Sequence, residues 1–238
     1  MTIDFVEVLD RLDLQRTNAS TSDKYDDEEY VWFRTVLTVL DPLHGDYGII
    51  EQYVRNTSVD VALSVKRVYD VSRPEDAQNF KGHLGNRLLL WHGSHVSNMS
   101  NIIWEGLRMP LDHVKFYGSN FGRGIYFSDM ISKALPYCRR DPLGAFFVLC
   151  DVALGTVRSE PAYICSGVTL EEHQHSVKGI GRVFPDPAVV FDHPEGFRIP
   201  MGTVVEGGSS TGRIPNNEYV VFDESQIRIR YVVWCVEA

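Results

Sequence analysis

Hydrophobic positions along the chain change their period several times, and each change marks an element. Residues 31–40 are dense in β-branched and aromatic side chains and predict a strand. Residues 46–56 then put Ile49, Ile50, Tyr53 and Val54 on one face of a helix, and Val61, Leu63 and Val65 alternate within a second strand over 60–70. Residues 73–85, which contain Pro74, Gly82 and Gly85, read as a connection. An apolar run over 88–91 ends abruptly in His92-Gly93-Ser94. A short helix is expected over 97–105, with Met99, Ile102 and Ile103 on one face and Gly106 as its stop.

The loop 111–120, containing His113 and Tyr117, is long enough to act as a lid. A second apolar run, 125–127, follows Gly122 and Gly124, and Ser128 reads as the N-cap of a helix over 129–135 that Pro136 should end. Residues 145–154 (AFFVLCDVAL) form a strong strand, whereas 155–217 carry nine glycines and six prolines and read as loops and short strands. The chain closes with strands over 218–222 and 226–236, the second with Ile227, Ile229, Tyr231 and Val233 alternating. Residues 1–29, polar with an acidic cluster at 23–29, read as a tail or a short packed extension. Many short strands and few helices point to an α+β domain built on antiparallel sheets.

Composition narrows the class. A length of 238 residues suits one large domain or two small ones, and 44% hydrophobic with 23% charged residues is ordinary for a globular protein. The net charge of −9 argues against a nucleic-acid-binding surface on this chain. Cys138, Cys150, Cys165 and Cys235 are scattered, without the spacing of a disulfide framework or a metal site, which favours a reducing intracellular compartment, nuclear or cytoplasmic. Residues 1–16 do not form a signal peptide, and no apolar run reaches membrane-spanning length, so no membrane partner is expected.

Nucleotide-binding loops fail the spacing test. In GGSSTGRI (207–214), Arg213 and Ile214 stand where a phosphate loop needs Lys and Ser or Thr. Gly122-Arg123-Gly124 precedes a strand and opens no helix, unlike a dinucleotide-binding turn. His173 and His175 have no Cys pair or Glu-x-x-His near them, so no metal is expected. Ser94 lacks the Gly-x-Ser-x-Gly context of a hydrolase nucleophile. What remains is His92 after one strand, Tyr126 within a second and Glu218 opening a third; each alone is as easily structural as functional.

Together these residues carry a resemblance. His92-Gly93-Ser94, residues 122–129 (GRGIYFSD) and Asn217-Glu218-Tyr219, in this order and spacing, resemble the catalytic domain of poly(ADP-ribose) polymerases. Residues 175–182 (HSVKGIGR) with Pro185-Asp186-Pro187 are similar to the DNA-dependent branch of that family. The similarity runs from about 46 to 236, which implies an ADP-ribosyltransferase domain over 46–238 and an extension with the first strand over 1–45. The implied fold is α+β: two antiparallel sheets in a split sandwich, with short helices and an NAD cleft between them.

The implied activity is transfer of ADP-ribose from NAD to protein acceptors, with this chain itself a candidate acceptor, then chain elongation with release of nicotinamide. Mono-ADP-ribosyl transfer on the same fold is the nearest alternative, and a non-catalytic NAD or ADP-ribose binding module is the next. NAD is implied as a consumed substrate. By the family pattern Gly93 holds the nicotinamide carboxamide through its backbone, Tyr137 stacks on the ring, and Tyr126 closes the pocket. His92 orients NAD through a hydroxyl of the adenosine-side or nicotinamide ribose. Glu218 bonds the nicotinamide ribose, stabilises the cation that develops there and polarises the acceptor, with Lys133 near the reacting ribose. Ser94, Asn98, Gly106 and Arg108 match NAD-holding positions, and Asn120 with its loop matches the acceptor site.

Two departures matter. Ala134 stands where these polymerases usually carry a serine that donates to the carboxamide. One lost hydrogen bond is worth ~1 kcal/mol, about fivefold in affinity. Ala134→Ser is therefore expected to tighten a nicotinamide-mimicking inhibitor about fivefold, and unchanged affinity by calorimetry would contradict this account. The second departure is that only 45 residues precede Asp46, where DNA-activated relatives carry a helical regulatory domain and DNA-binding modules. The chain is then either a catalytic fragment or a compact enzyme, and activity independent of nicked duplex is expected.

Overall fold

The computed structural model describes residues 35–111, 119–138, 144–207 and 213–238. The segment 1–34 and most of the expected lid loop, including His113 and Tyr117, lie outside the described residues.

Strands β1 (Val36–Val39), β2 (Leu63–Ser72), β3 (Arg87–Gly93), β5 (Ala145–Ala153), β9 (Phe191–Asp192), β10 (Arg198–Ile199) and β13 (Ile227–Glu237) form a seven-stranded sheet in the order β1-β2-β13-β5-β3-β10-β9. Strands β4 (Ile125–Phe127), β6 (Val157–Glu160), β7 (Ser176–Gly179) and β12 (Glu218–Val221) form a second sheet, ordered β4-β12-β7-β6. A ribbon of β8 (Val183–Pro185) and β11 (Val204–Glu206) stands apart. Pairing is antiparallel except for β10 with β3 and β6 with β7.

The large sheet is covered on both faces. One face meets α1 (Gly45–Thr57) and α4 (Ile131–Cys138) in a core containing Ile50, Tyr53, Leu89, Trp91, Phe147 and Ile131. The other meets the four-stranded sheet and α3 (Met99–Glu105) around Leu90, Val148, Phe127, Tyr219 and Ile102. All nine residues of β5 are buried, which is why its sequence is apolar but for Asp151, itself paired with Arg87. A third core, Phe121, Val177, Ile214 and Val220, backs the small sheet.

The even alternation expected in β13 is broken. Its register against β5 shifts between Ile229 and Tyr231, so Arg230 is an extra residue. One extra residue reverses which face every later side chain points to. Ile227 and Ile229 accordingly face one core, while Tyr231 and Val233 face the other.

Three helix expectations also need correction. The connection 73–85 contains a short helix, α2 (Pro74–Asn79), and a 3-10 turn at Gly82–Leu84. The helix expected over 97–105 opens as a 3-10 turn, Val96–Asn98, before α3 begins at Met99. Pro136 does not end its helix, which runs Ile131–Cys138. Proline removes one backbone donor, but the burial of Ile131, Ala134 and Cys138 against the sheet outweighs that loss.

Candidate active site

The two sheets join where β3 leaves β10 and meets the chain after β4. Trp91 N–H donates to Ser128 O at 2.8 Å and Ser128 N–H donates back to Trp91 O at 3.0 Å. β3 continues through His92 and Gly93 instead of ending at Trp91, so both residues are held in the ladder with β5. Ser128 Oγ accepts from Met130 N–H at 3.1 Å, but the helix starts only at Ile131, so this bond closes a turn ahead of the helix and Ser128 is not its N-cap.

Glu218 opens β12, an interior strand between β4 and β7, and is only 3% exposed. A carboxylate so buried needs compensating charge or donors. Lys133 Nζ, from α4, lies 2.8 Å from Oε1, and the Tyr163 hydroxyl donates to the same oxygen at 3.1 Å. The flanking residues point the other way. Asn217 Nδ2 donates to Asp129 Oδ2 at 2.7 Å, and the Tyr219 hydroxyl donates to it at 2.9 Å. Asn217 Oδ1 also accepts from Gly181 N–H at 2.9 Å, and Asn217 O accepts from the Ser128 hydroxyl at 2.9 Å. Alternation along the strand thus aims Glu218 away from Asp129 while both of its neighbours are clamped to that residue.

His92 is partly buried, with Nδ1 2.9 Å from Tyr126 O. Because a carbonyl can only accept, Nδ1 carries the proton and Nε2 keeps its lone pair. Burial pushes this imidazole below its ordinary value, and the Tyr126 carbonyl opposes the shift. The Tyr126 hydroxyl donates to Gly122 O at 2.6 Å and accepts from Phe121 N–H at 2.9 Å, fastening the loop before β4. Burial raises its pKa well above that of a free phenol, so it stays protonated.

Gly93 packs against the backbone of α4. A Cβ built there would collide with the Ala134 carbonyl oxygen, which cannot retreat as a flexible side chain could. Gly93→Ala must therefore displace the helix that carries Lys133, Ala134 and Tyr137. Overpacking of this kind costs ~1–3 kcal/mol, so the melting temperature is expected to fall by roughly 2–12 °C in a domain of this size; a variant with the wild-type melting temperature would contradict this packing.

The remaining candidates are spread more widely. Asn98 Nδ2 donates to Ser94 Oγ at 3.1 Å beyond the end of β3. Tyr137 is 42% exposed on α4. Asn120 O accepts from Ile164 N–H at 2.8 Å. Arg108 is not joined to the Glu218 group; its Nη1 donates to Glu224 Oε2 at 2.8 Å. Arg108 and Gly106 line a cleft of about 270 Å³ with Arg73, Asp76 and Phe80. Gly106 has φ +83°, so the helix stop favours glycine, and a Cβ there would lie 2.5 Å from Arg73 Nη1 and displace that guanidinium. Among the described residues no group of three or more His, Cys, Asp or Glu is arranged to hold a metal ion.

Two residues that shape the site received no role from sequence reasoning. Asp129 lies inside the quoted motif, and an acid following an apolar strand was the signal available. Tyr163 lies 55 positions from Glu218 in a glycine- and proline-rich stretch, with no periodicity to mark it.

A split sandwich with a buried, lysine-paired carboxylate where its sheets join is an α+β architecture with a candidate site at that junction. The family model of the poly(ADP-ribose) polymerase catalytic domain matches residues 44–236. The chain is 35% identical over 213 residues to poly(ADP-ribose) polymerase 1 of Caenorhabditis elegans, covering 84% of this chain and 22% of that protein. It is 35% identical over 217 residues to poly(ADP-ribose) polymerase 1 of Gallus gallus, covering 87% and 21% respectively. Against poly(ADP-ribose) polymerase 2 of Arabidopsis thaliana it is 31% identical over 244 residues, 97% of this chain and 38% of that protein. The chain belongs to the poly(ADP-ribose) polymerase catalytic-domain family and has its ADP-ribosyltransferase fold. It spans roughly a fifth to two fifths of the length of these relatives.

Proposed function

We propose that this chain cleaves NAD at the nicotinamide glycosidic bond, transfers ADP-ribose to protein acceptors and elongates the chain. The observation that carries the reading is Glu218, buried at the junction of the sheets, paired with Lys133 and clamped through both neighbours. Cleavage of a glycosidic bond builds positive charge at the anomeric carbon, and a buried fixed carboxylate stabilises such charge far better than one in water. Glu218 is the group for this role, and it also accepts from a ribose or acceptor hydroxyl. His92, neutral with Nε2 as acceptor, takes a ribose hydroxyl as its donor. The backbone of Gly93 holds the carboxamide, with Tyr126 and Tyr137 flanking the ring. Ser94, Asn98, Gly106 and Arg108 carry the rest of NAD, and Asn120 borders the acceptor.

The transferase domain is taken as 46–238, with 1–45 an extension whose strand β1 edges the large sheet. All four cysteines are free thiols and three are buried, in keeping with a reducing nuclear or cytoplasmic compartment. No described helix is long and apolar enough to cross a membrane.

The test is to incubate the chain with labelled NAD, beside Glu218→Ala, and separate the products on a denaturing gel. A high-mass ladder on the wild-type chain alone is the expected result and would establish elongation and self-modification together. A single discrete band would replace elongation by mono-transfer. Absence of both label and nicotinamide release would overturn the reading.

A further inference from the structure

Tyr163 reaches Glu218 from a segment that belongs to neither β4 nor α4. Its hydroxyl donates to Oε1 at 3.1 Å, the oxygen that also faces Lys133 Nζ at 2.8 Å. Among the described residues, Oε2 receives no hydrogen bond. The segment is fixed to the loop ahead of β4. Ile164 N–H donates to Asn120 O at 2.8 Å and Val168 N–H to Phe121 O at 3.1 Å. The Tyr163 ring packs edge-on to Phe121 at 5.7 Å. Gly122 and Gly167 pass so closely that a Cβ on Gly122 would lie 2.7 Å from the Gly167 Cα. Tyr126 fastens the same loop from below through Phe121 N–H and Gly122 O. Burial, then the nearby Glu218 charge, raises the Tyr163 pKa, so the phenol remains a donor through the neutral range.

Two donors from opposite walls meeting on one oxygen leave the carboxylate a single orientation. We propose that Tyr163 is a positioning residue for the reaction assigned above: with Lys133 it pins Oε1, so that Oε2 is presented to the ribose and the acceptor. The inference rests on the proposed transferase activity. A residue acting in this way governs the chemical step and not the capture of NAD.

The experiment compares wild type with Tyr163→Phe, which keeps the ring against Phe121 and removes only the hydroxyl. Nicotinamide release should show kcat lowered about tenfold, with KM for NAD changed less than about twofold. The melting temperature should move by no more than about 4 °C. As a second variant, a fluorinated tyrosine at position 163, which keeps a donating hydroxyl in the same shape, should retain kcat within about twofold of wild type. Wild-type kcat in Tyr163→Phe, a change in KM alone, or a loss as large in the fluorinated tyrosine as in Tyr163→Phe would overturn the inference and leave the transferase reading intact. A wild-type chain that releases no nicotinamide would sink that reading, and this inference with it.

Discussion

Replacing Glu218 with glutamine is expected to lower nicotinamide release ~10²–10³-fold, the scale on which enzymes lose rate when a preorganised electrostatic group is removed. The substitution conserves size, and the amide carbonyl still accepts from Tyr163, so packing at the start of β12 is kept. What disappears is the negative charge that, in the proposed reaction, faces the cation formed as nicotinamide leaves. The KM for NAD should change little, because an amide still bonds a ribose hydroxyl, and the loss should fall on kcat. Lys133 loses its partner; with its side chain 21% exposed, water compensates in part, and the stability cost should fall below the ~3–5 kcal/mol of a fully buried pair. Steady-state kinetics with a thermal melt separates the two effects. A rate loss under tenfold in a stably folded variant would mean that Glu218 is not the group that meets the developing charge.

The second large effect is expected one layer beneath. Asp129→Ala removes the acceptor for both Asn217 and Tyr219, which bond it at 2.7 and 2.9 Å. Each donor left unsatisfied in the core costs ~1–3 kcal/mol. In a domain of this size the sum should lower the melting temperature by roughly 5–15 °C, and activity should fall because Glu218 loses its anchors on either side. Asp129→Asn keeps an acceptor oxygen and should be milder on both counts; equal damage would show that charge and not hydrogen bonding is what Asp129 supplies.

The pH dependence distinguishes these variants further. Burial raises the Asp129 carboxyl above its ordinary value of 3.8, with the Asn217 bond the largest opposing influence. The folded chain therefore holds this proton more tightly than the unfolded chain does. The resulting stabilisation is complete below 3.8 and is lost as pH rises through the raised value. Wild-type stability measured relative to Asp129→Asn should thus decline as pH rises from about 4. A difference that does not vary with pH would contradict the shift.

Much of the framework was legible because its signals are local. An apolar run broken only by Asp151 marks β5, whose two faces both meet a core, and helical spacing in 46–56 marks α1. The motifs around His92, Tyr126 and Glu218 could be read together because their order and spacing resemble one family pattern. The misreadings came where a local rule met a tertiary demand. Pro136 stays in its helix because that helix buries three side chains against the large sheet. Arg230 reverses the faces of β13, since a bulge changes parity without leaving any mark in composition.

The sequence by itself determined the alternation of short strands and helices, the family pattern and the choice of Glu218 and Lys133 as candidate charged residues. Only the tertiary structure decided how the charged groups are held: Lys133 and Tyr163 on one oxygen of Glu218, Asp129 under its two neighbours, and Arg108 on Glu224. The physical reason is range. Periodicity and capping act over a few positions of the chain, whereas a buried carboxylate is satisfied by whichever donors the packing of distant segments brings within about 3 Å.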